Sequence, residues 1–485
     1  MKLYHTPIHK LHKMRQSGEV STTEITQAVL GRIETTEKDL HSFLSLDPEH
    51  ALKKSTEADA KLANKEEVGP LEGMPIAVKD IFATKGRSTT CASKYLENFV
   101  SPYESGVTSK LEEAGYALVG KTNMDEFAMG SSTENSAFGP TKNPWDLTKV
   151  PGGSSGGSAS CVAAGQALAS IGTDTGGSIR QPASFNSIVG LKPTYGRVSR
   201  WGMIAFSSSL DQAGPMTQDV TDAALLMNTL AGYDAKDSTS LNVPQEDFTA
   251  RLGESLKGKK IGVIKELDLS GAESDVVKIY QENLKALESA GAEIVEVSVP
   301  NIKHGVATYY VIAPCEASSN LGRYDGIRYG HRSDSAKNLA EVYEQSRDEA
   351  LGEEVKLRIL LGTFALSAGY YDAYYLKALQ VQNLIRAQYK AAFAQVDAIA
   401  SPVSPTAAFN LGERFHDPLK NYLADSFTIP ANLAGIPGIS VPGGFSGNLP
   451  VGLQLLGDHL SETKLLSIAH GFEQALGLKT PSLAI

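Results

Sequence analysis

The stretch Gly152-Gly153-Ser154-Ser155-Gly156-Gly157-Ser158, followed by Thr173-Asp174-Thr175-Gly176-Gly177-Ser178-Ile179-Arg180, constrains this chain more than any other part of it. Glycine loses more conformational freedom on folding than any other residue, so two such clusters are costly to order. They are tolerated where backbone must approach something that a Cβ would push away. An apolar, helix-like run from Cys161 to Ser170 bridges the clusters, and the second ends in Ser178-Ile179-Arg180-Gln181-Pro182. A merely flexible loop accounts poorly for that pairing.

Phosphate cradling would need GxxxxGK[ST], and no lysine lies between Lys149 and Lys192; no GxGxxG follows a strand here either. A serine nucleophile is the alternative, with glycine amides converging on a developing oxyanion. Its hydroxyl needs a base. The ten histidines all lie at or before His50 or at or after His304. Triad members can come from anywhere in a chain, but the best placed histidine, His416 beside Asp417-Pro418, reads as a loop or surface residue.

A lysine can take the role if it is kept neutral. Lys79 leaves the apolar run Pro75-Ile76-Ala77-Val78. Neutrality near pH 7 needs a shift of ~3 units, or ~4–5 kcal/mol, which burial alone can supply. Asp80 is adjacent, but on a strand it faces the other way. Lys121, after Ala117-Leu118-Val119-Gly120, competes for the role. A lysine between apolar residues more often extends its amine to solvent, so only the Ser/Gly segment elevates either one.

The wider texture gives the fold class. Short apolar runs at Pro75–Val78, Tyr116–Gly120 and Ala167–Gly172 alternate with helix-compatible stretches, predicting an α/β fold built on a large, largely parallel or mixed sheet flanked by helices. Residues 259–299 read as a βαβ unit: strand Lys260–Ile264, a helix with Val277, Tyr280, Leu284 and Leu287 on one face, Gly291 as its stop, then a strand from Ile294 to Val299. Val396–Ala400, Ile439–Pro442 and Val451–Leu455 add strands, and a last helix starts at Glu462. Residues 1–65 read as a helical segment, opened by the capping-box spacing Ser21-Thr22-Thr23-Glu24. Residues 303–395 read as a mainly helical insertion, and 1–485 as a single domain.

The charge, 45 Lys and Arg against 55 Asp and Glu, makes a poor stand-alone nucleic-acid binder. Three cysteines without CxxC-like spacing speak against a disulfide framework or a zinc knuckle. With no apolar stretch near the ~20 residues of a membrane span, a cytoplasmic chain is expected.

The segments Gly152–Ser158 and Asp174–Pro182 together resemble the amidase signature. Gly73–Asp80, Gly120–Gly130 and Ser367–Tyr375 extend the likeness over nearly the whole chain, toward the glutamine-hydrolysing subunits of tRNA-dependent amidotransferases. The resemblance implies a Ser–cis-Ser–Lys triad, with Ser178 the nucleophile, Ser154 a bridging serine behind a cis peptide bond and Lys79 the base. It further implies an oxyanion hole of Thr175, Gly176, Gly177 and Ser178 amides. Arg358 would bind the α-carboxylate of glutamine and Asp425 its α-ammonium, while Asp174 and Arg180 would brace the loop. No metal or cofactor is expected in this chain. ATP and Mg²⁺ would be used by a partner B subunit that amidates glutamate on tRNA(Gln), with a small C subunit completing a heterotrimer. The alternatives are a stand-alone amidase acting on another amide and a non-catalytic scaffold subunit.

Overall fold

The structure, a computed structural model, describes residues 2–414, 418–478 and 483–485; His416 lies outside them. Eleven strands form one sheet: β1 (Phe43–Leu46), β2 (Pro75–Lys79), β3 (Ala117–Thr122), β4 (Ala169–Asp174), β5 (Val189–Lys192), β6 (Gln212–Thr217), β7 (Lys260–Ile264), β8 (Glu293–Val297), β9 (Ala398–Pro402), β10 (Gly438–Ser446) and β11 (Leu449–Leu456). Their order is β1-β3-β2-β4-β6-β5-β10-β11-β9-β7-β8. Parallel pairs (β2 with β3 and β4, β7 with β8 and β9) mix with antiparallel ones, as the texture predicted.

Every residue of β2 to β6 is buried, which is why these strands read as continuous apolar or small-residue runs rather than as alternating ones. The helix Thr22–Leu40 starts with the expected reciprocal cap: Glu24 N–H donates to Ser21 Oγ at 3.1 Å, and Ser21 N–H to Glu24 Oε2 at 2.7 Å. Its Ile25, Val29 and Ile33 are buried as one stripe.

Four local readings change. Residues 43–46, inside the segment read as helical, form the edge strand β1, because they pair with Thr122, Lys121 and Gly120 of β3. Strands β5 and β6 carry Gly190, Gly214 and Pro215 and gave no strand pattern; their pairing with each other, β4 and β10 is tertiary. The helix between the Gly/Ser clusters is Gly156–Ala164, so it begins inside the first cluster and ends before Ala167. All its residues are buried, and small side chains let it pack tightly on every side. In the helix Ser274–Ser289 the buried face is Val276, Ile279, Tyr280, Asn283 and Leu287, which leaves Val277 half-buried.

Parallel strands bring their C-terminal ends to one edge of a sheet, where ligands of α/β folds bind. Here that edge carries Lys79, the last residue of β2, and Asp174, the last of neighbouring β4.

Candidate active site

Lys79 is fully buried, and its Nζ lies 2.8 Å from each of three hydroxyl oxygens: Ser154 Oγ, Ser155 Oγ and Thr173 Oγ1. No carboxylate is within ion-pair distance of it among the described residues. Burial therefore dominates, and the amine's pKa is pushed down from 10.5 to about 7. A neutral amine carries two N–H donors and one lone pair, so three hydroxyls saturate it. Ser155 spends its proton on Thr173 O (3.0 Å) and accepts from Thr173 N–H (3.2 Å), so it can only accept from Lys79. The Ser154 hydroxyl has no other partner among the described residues and is free to turn its proton toward the lone pair. The Gly153–Ser154 peptide bond is cis.

The competitor is differently placed. Lys121 Nζ lies 3.0 Å from Asp80 Oδ1 and donates to Phe82 O (2.9 Å) and Thr89 Oγ1 (3.2 Å), all buried. Strand pairing matches Val78 with Lys121, and Lys79 with Thr122. The two lysines thus project to opposite faces, and Asp80 shares the face of Lys121 rather than of Lys79.

Ser178 follows β4 in the loop that leads into the helix Arg180–Asn186 and is 8% exposed. The amides of Gly176, Gly177 and Ser178 donate no hydrogen bond among the described residues. Thr428 and Tyr309 wall the loop. Thr428 Oγ1 donates to Gly176 O at 2.7 Å, a Cβ at Gly177 (φ +144°) would fall 2.2 Å from Thr428 Oγ1, and one at Gly176 would fall 2.9 Å from the Tyr309 ring. Glycine is required there by contact as well as by backbone angle. Thr175 turns its hydroxyl to Asp211 Oδ1 at 2.7 Å.

The loop is braced as the resemblance implied. Arg180 Nε and one Nη each lie 3.0 Å from the two oxygens of Asp174, both residues fully buried. The other Nη donates to Thr428 O (3.0 Å) and Gln454 Oε1 (2.6 Å). Burial alone would raise the Asp174 pKa, but the Arg180 charge outweighs it and holds the carboxyl at about 2.

Arg358 is buried among Phe206, Tyr310 and Tyr422, its guanidinium carbon 5.4–5.6 Å from each ring centroid. Its Nε is committed to Glu354 Oε1 at 2.7 Å, which leaves the two Nη amino groups as donors for a second carboxylate. Asp425 accepts a hydrogen bond from Ser131 Oγ on one oxygen, while Oδ1 is buried without a partner among the described residues. Burial pushes this carboxyl up to about 7, where a cationic ligand group would pull it back down.

Lys79, Ser154 and the loop of Ser178 are thus gathered at one sheet edge; Arg358 and Asp425 come from distant segments and act electrostatically on the same phenols, Tyr309 and Tyr310. Ser131, Tyr309, Tyr310 and Thr428 carried no sequence signal of their own, and Thr173 only as the first residue of the second Gly/Ser segment. Ser155 did, as the neighbour of Ser154 in the motif. One other group, His9, Asp219 and Asp222, brings three potential metal-ligand atoms together among the described residues. There Asp222 is already occupied by Ile8 N–H (2.6 Å) and His9 N–H (2.9 Å). No helix is long and apolar enough to cross a membrane among the described residues.

Known proteins share this chain's sequence and fold along its whole length. The A-type subunit of glutamyl-tRNA(Gln) amidotransferase from Heliobacterium modesticaldum is 53% identical over 487 residues, covering 100% of both chains. Its counterpart of the same name from a Cyanothece strain is 55% identical over 469 residues, covering 96% of this chain and 97% of its own. Among solved structures, the Thermotoga maritima protein of that name superposes with a TM-score of 0.81 at 43% identity, covering 99% of this chain and 96% of that one. Native peptide amidase from Stenotrophomonas maltophilia gives 0.83 at 31% identity, covering 98% of each. The Amidase family model matches residues 24–466, so the chain, an enzyme by its likeness to these relatives, belongs to the amidase family.

Proposed function

We propose that this chain is the glutaminase subunit of a tRNA-dependent amidotransferase, releasing ammonia from glutamine for the conversion of Glu-tRNA(Gln) to Gln-tRNA(Gln). The observation that carries the reading is the Lys79 amine, buried without a carboxylate partner and set on Ser154. Ser178 Oγ attacks the side-chain amide carbon of glutamine, and its proton passes through Ser154 Oγ to the Lys79 lone pair. The oxyanion lies against the amides of Thr175, Gly176, Gly177 and Ser178. When the C–N bond breaks, the proton returns along the same path to the departing nitrogen, and ammonia leaves. Water then hydrolyses the γ-glutamyl ester, giving glutamate and free Ser178.

Glutamine is a zwitterion, and the Arg358 amino groups with the open oxygen of Asp425 offer the two opposite charges that it needs. The names of the relatives speak for one of several subunits, and we place ATP and Mg²⁺ on a B-type partner, with a C-type partner completing the assembly and tRNA held mainly by the B-type partner. This chain's acidic balance and the lack of a P-loop in its Gly/Ser segment agree with that division, and a cytoplasmic setting with its three free cysteines.

The test is Ser178→Ala in the assembled complex. Glutamine-dependent transamidation is expected to stop while free ammonia still supports it. Loss of both activities, or retention of the first, refutes the assignment.

A further inference from the structure

Four groups act electrostatically on the Lys79 amine: Asp125, Asp174, Asp211 and Cys91. Three of them are muted. Asp174 is neutralised by Arg180. Asp211 has the Arg200 guanidinium at 3.9 Å and is tied up by Thr175 Oγ1, Phe206 N–H and Ser207 N–H. Burial pushes the Cys91 thiol well above its usual range, so it carries no charge near neutrality. The Asp80–Lys121 pair and Glu126 act on Cys91, and Glu134 on Asp125. Asp125 differs from all of these. It is fully buried, has no cationic partner within ion-pair distance among the described residues, and is the strongest of the four on Lys79.

Its placement ties it to the same turn as the bridging serine. Asp125 lies just past β3, and its own N–H donates to Ser154 O at 3.2 Å. The carboxylate accepts from Thr133 N–H (2.9 Å) and Asn135 N–H (3.2 Å). It is wedged between two glycines: a Cβ at Gly153 would fall 2.1 Å from Oδ2, and one at Gly130 would fall 2.4 Å from Cγ. No other residue than glycine fits beside it. Its charge is offset only by these two amide hydrogen bonds and by the field of Lys79, since a buried carboxylate is costly unless it is hydrogen-bonded or faces a positive charge.

We propose that Asp125 is a positioning residue of the serine–lysine relay, fixing the turn that carries Ser154 by its backbone and setting the basicity of Lys79 by its charge. The inference rests on the glutaminase reading above. Burial lifts the Asp125 carboxyl to about 6 and lowers the amine to about 7, so near neutral pH and above it the carboxylate carries its charge beside Lys79. A negative charge favours the ammonium form, and so opposes the desolvation that drives the amine toward neutrality. Lys79 therefore keeps enough basicity to accept the Ser178 proton and still loses its own charge near neutral pH. Without Asp125 the amine would be more readily neutral but a weaker base.

The experiment is the pH dependence of Ser178 labelling by a fluorophosphonate, and of glutaminase kcat/KM, in the assembled complex carrying Asp125→Asn. The acid limb is expected to move to lower pH by about one unit, the size of effect that a nearby charge produces, while the plateau rate falls. A role in folding alone would lower the plateau and leave the limb in place. An unmoved limb, or one displaced to higher pH, overturns the inference. If Asp125→Asn does not yield a folded complex, Asp125→Ser, which still accepts one of the two amide hydrogen bonds, is expected to give the same direction of shift. A complex that still hydrolyses glutamine when Ser178→Ala is its sole substitution would refute the Ser178–Ser154–Lys79 mechanism on which the reading above rests, and this inference with it.

Discussion

Replacing Arg180 by Met keeps most of the side-chain volume and removes the fork that holds the loop carrying Ser178. In the native chain that fork makes two 3.0 Å contacts with Asp174 and further hydrogen bonds to Thr428 O, Gln454 Oε1 and Asn432 Oδ1. Stranding one partner of a fully buried pair costs about 3–5 kcal/mol, because the surviving charge loses its counter-ion without regaining water. Three acceptors left without their donor add about 1 kcal/mol each. The sum, about 6–8 kcal/mol, is comparable with the whole net stability of many domains. Part of it can be recovered by protonating Asp174, whose carboxyl burial then pushes up against only the weaker pull of Lys192 and the Asn432 amide. The sign follows from linkage. In the native chain a depressed Asp174 contributes stability above its unfolded pKa of ~3.9, and that contribution is lost as pH falls toward about 2. In the variant the stranded carboxylate is worst at neutral and alkaline pH and eases as the pH is lowered. Thermal unfolding of the complex, followed by fluorimetry across pH 5 to 8, is the assay. The melting temperature of Arg180→Met should fall by several degrees at the upper end, with the deficit narrowing toward the lower end. Arg180→Lys, which keeps the charge but not the fork, should fall in between. An Arg180→Met complex that melts with the wild type at every pH would show that the loop is held by packing and that this reasoning is wrong.

Three further outcomes are expected. In the wild-type complex, Ser178 acylation should fall tenfold per pH unit below about 7, since only the neutral Lys79 amine accepts a proton; a rate that stays level down to pH 5.5 contradicts a titrating lysine. Lys121→Met, by stranding Asp80, should cost about 3–5 kcal/mol in denaturant or thermal unfolding, yet leave the acid limb where it was; a displaced limb would put Lys121 in the relay after all. Asp425→Asn should raise the glutamine KM by about 10- to 100-fold, the loss of one hydrogen bond to a charged group, with a smaller effect on kcat; in the wild type, KM should climb as pH drops below about 7, because the carboxyl must ionise to hold an ammonium. A KM untouched by the substitution removes Asp425 from the site.

The capping box at Ser21, the runs that became β2, β3, β4, β7 and β9, and the Gly/Ser clusters were all readable because each is a local device, whose physical reason lies within a few residues. The same locality explains the misses. Strand β1 exists only because β3 is there to pair with it, and β5 and β6 carry glycines and a proline that no strand pattern would advertise. Chemically, the sequence offered a serine nucleophile with no well-placed histidine, and it named Lys79 and Lys121 as the lysines that could serve as base. Period-two geometry even foretold that Asp80 would point away from Lys79. Which amine is starved of counter-charge was a matter for the tertiary structure. Lys79 faces three hydroxyls and Lys121 a carboxylate, and that difference arises from segments folded together from residues 80, 82, 89, 154, 155 and 173. The open oxygen of Asp425 and the uncompensated charge of Asp125 were decided in the same way, whereas the pairing of Arg358 with Glu354 is local, four residues apart on one helix. Motifs fix which groups are present, but charge state depends on burial and on neighbours brought from elsewhere in the chain, and these exist only once the sheet has closed over the site.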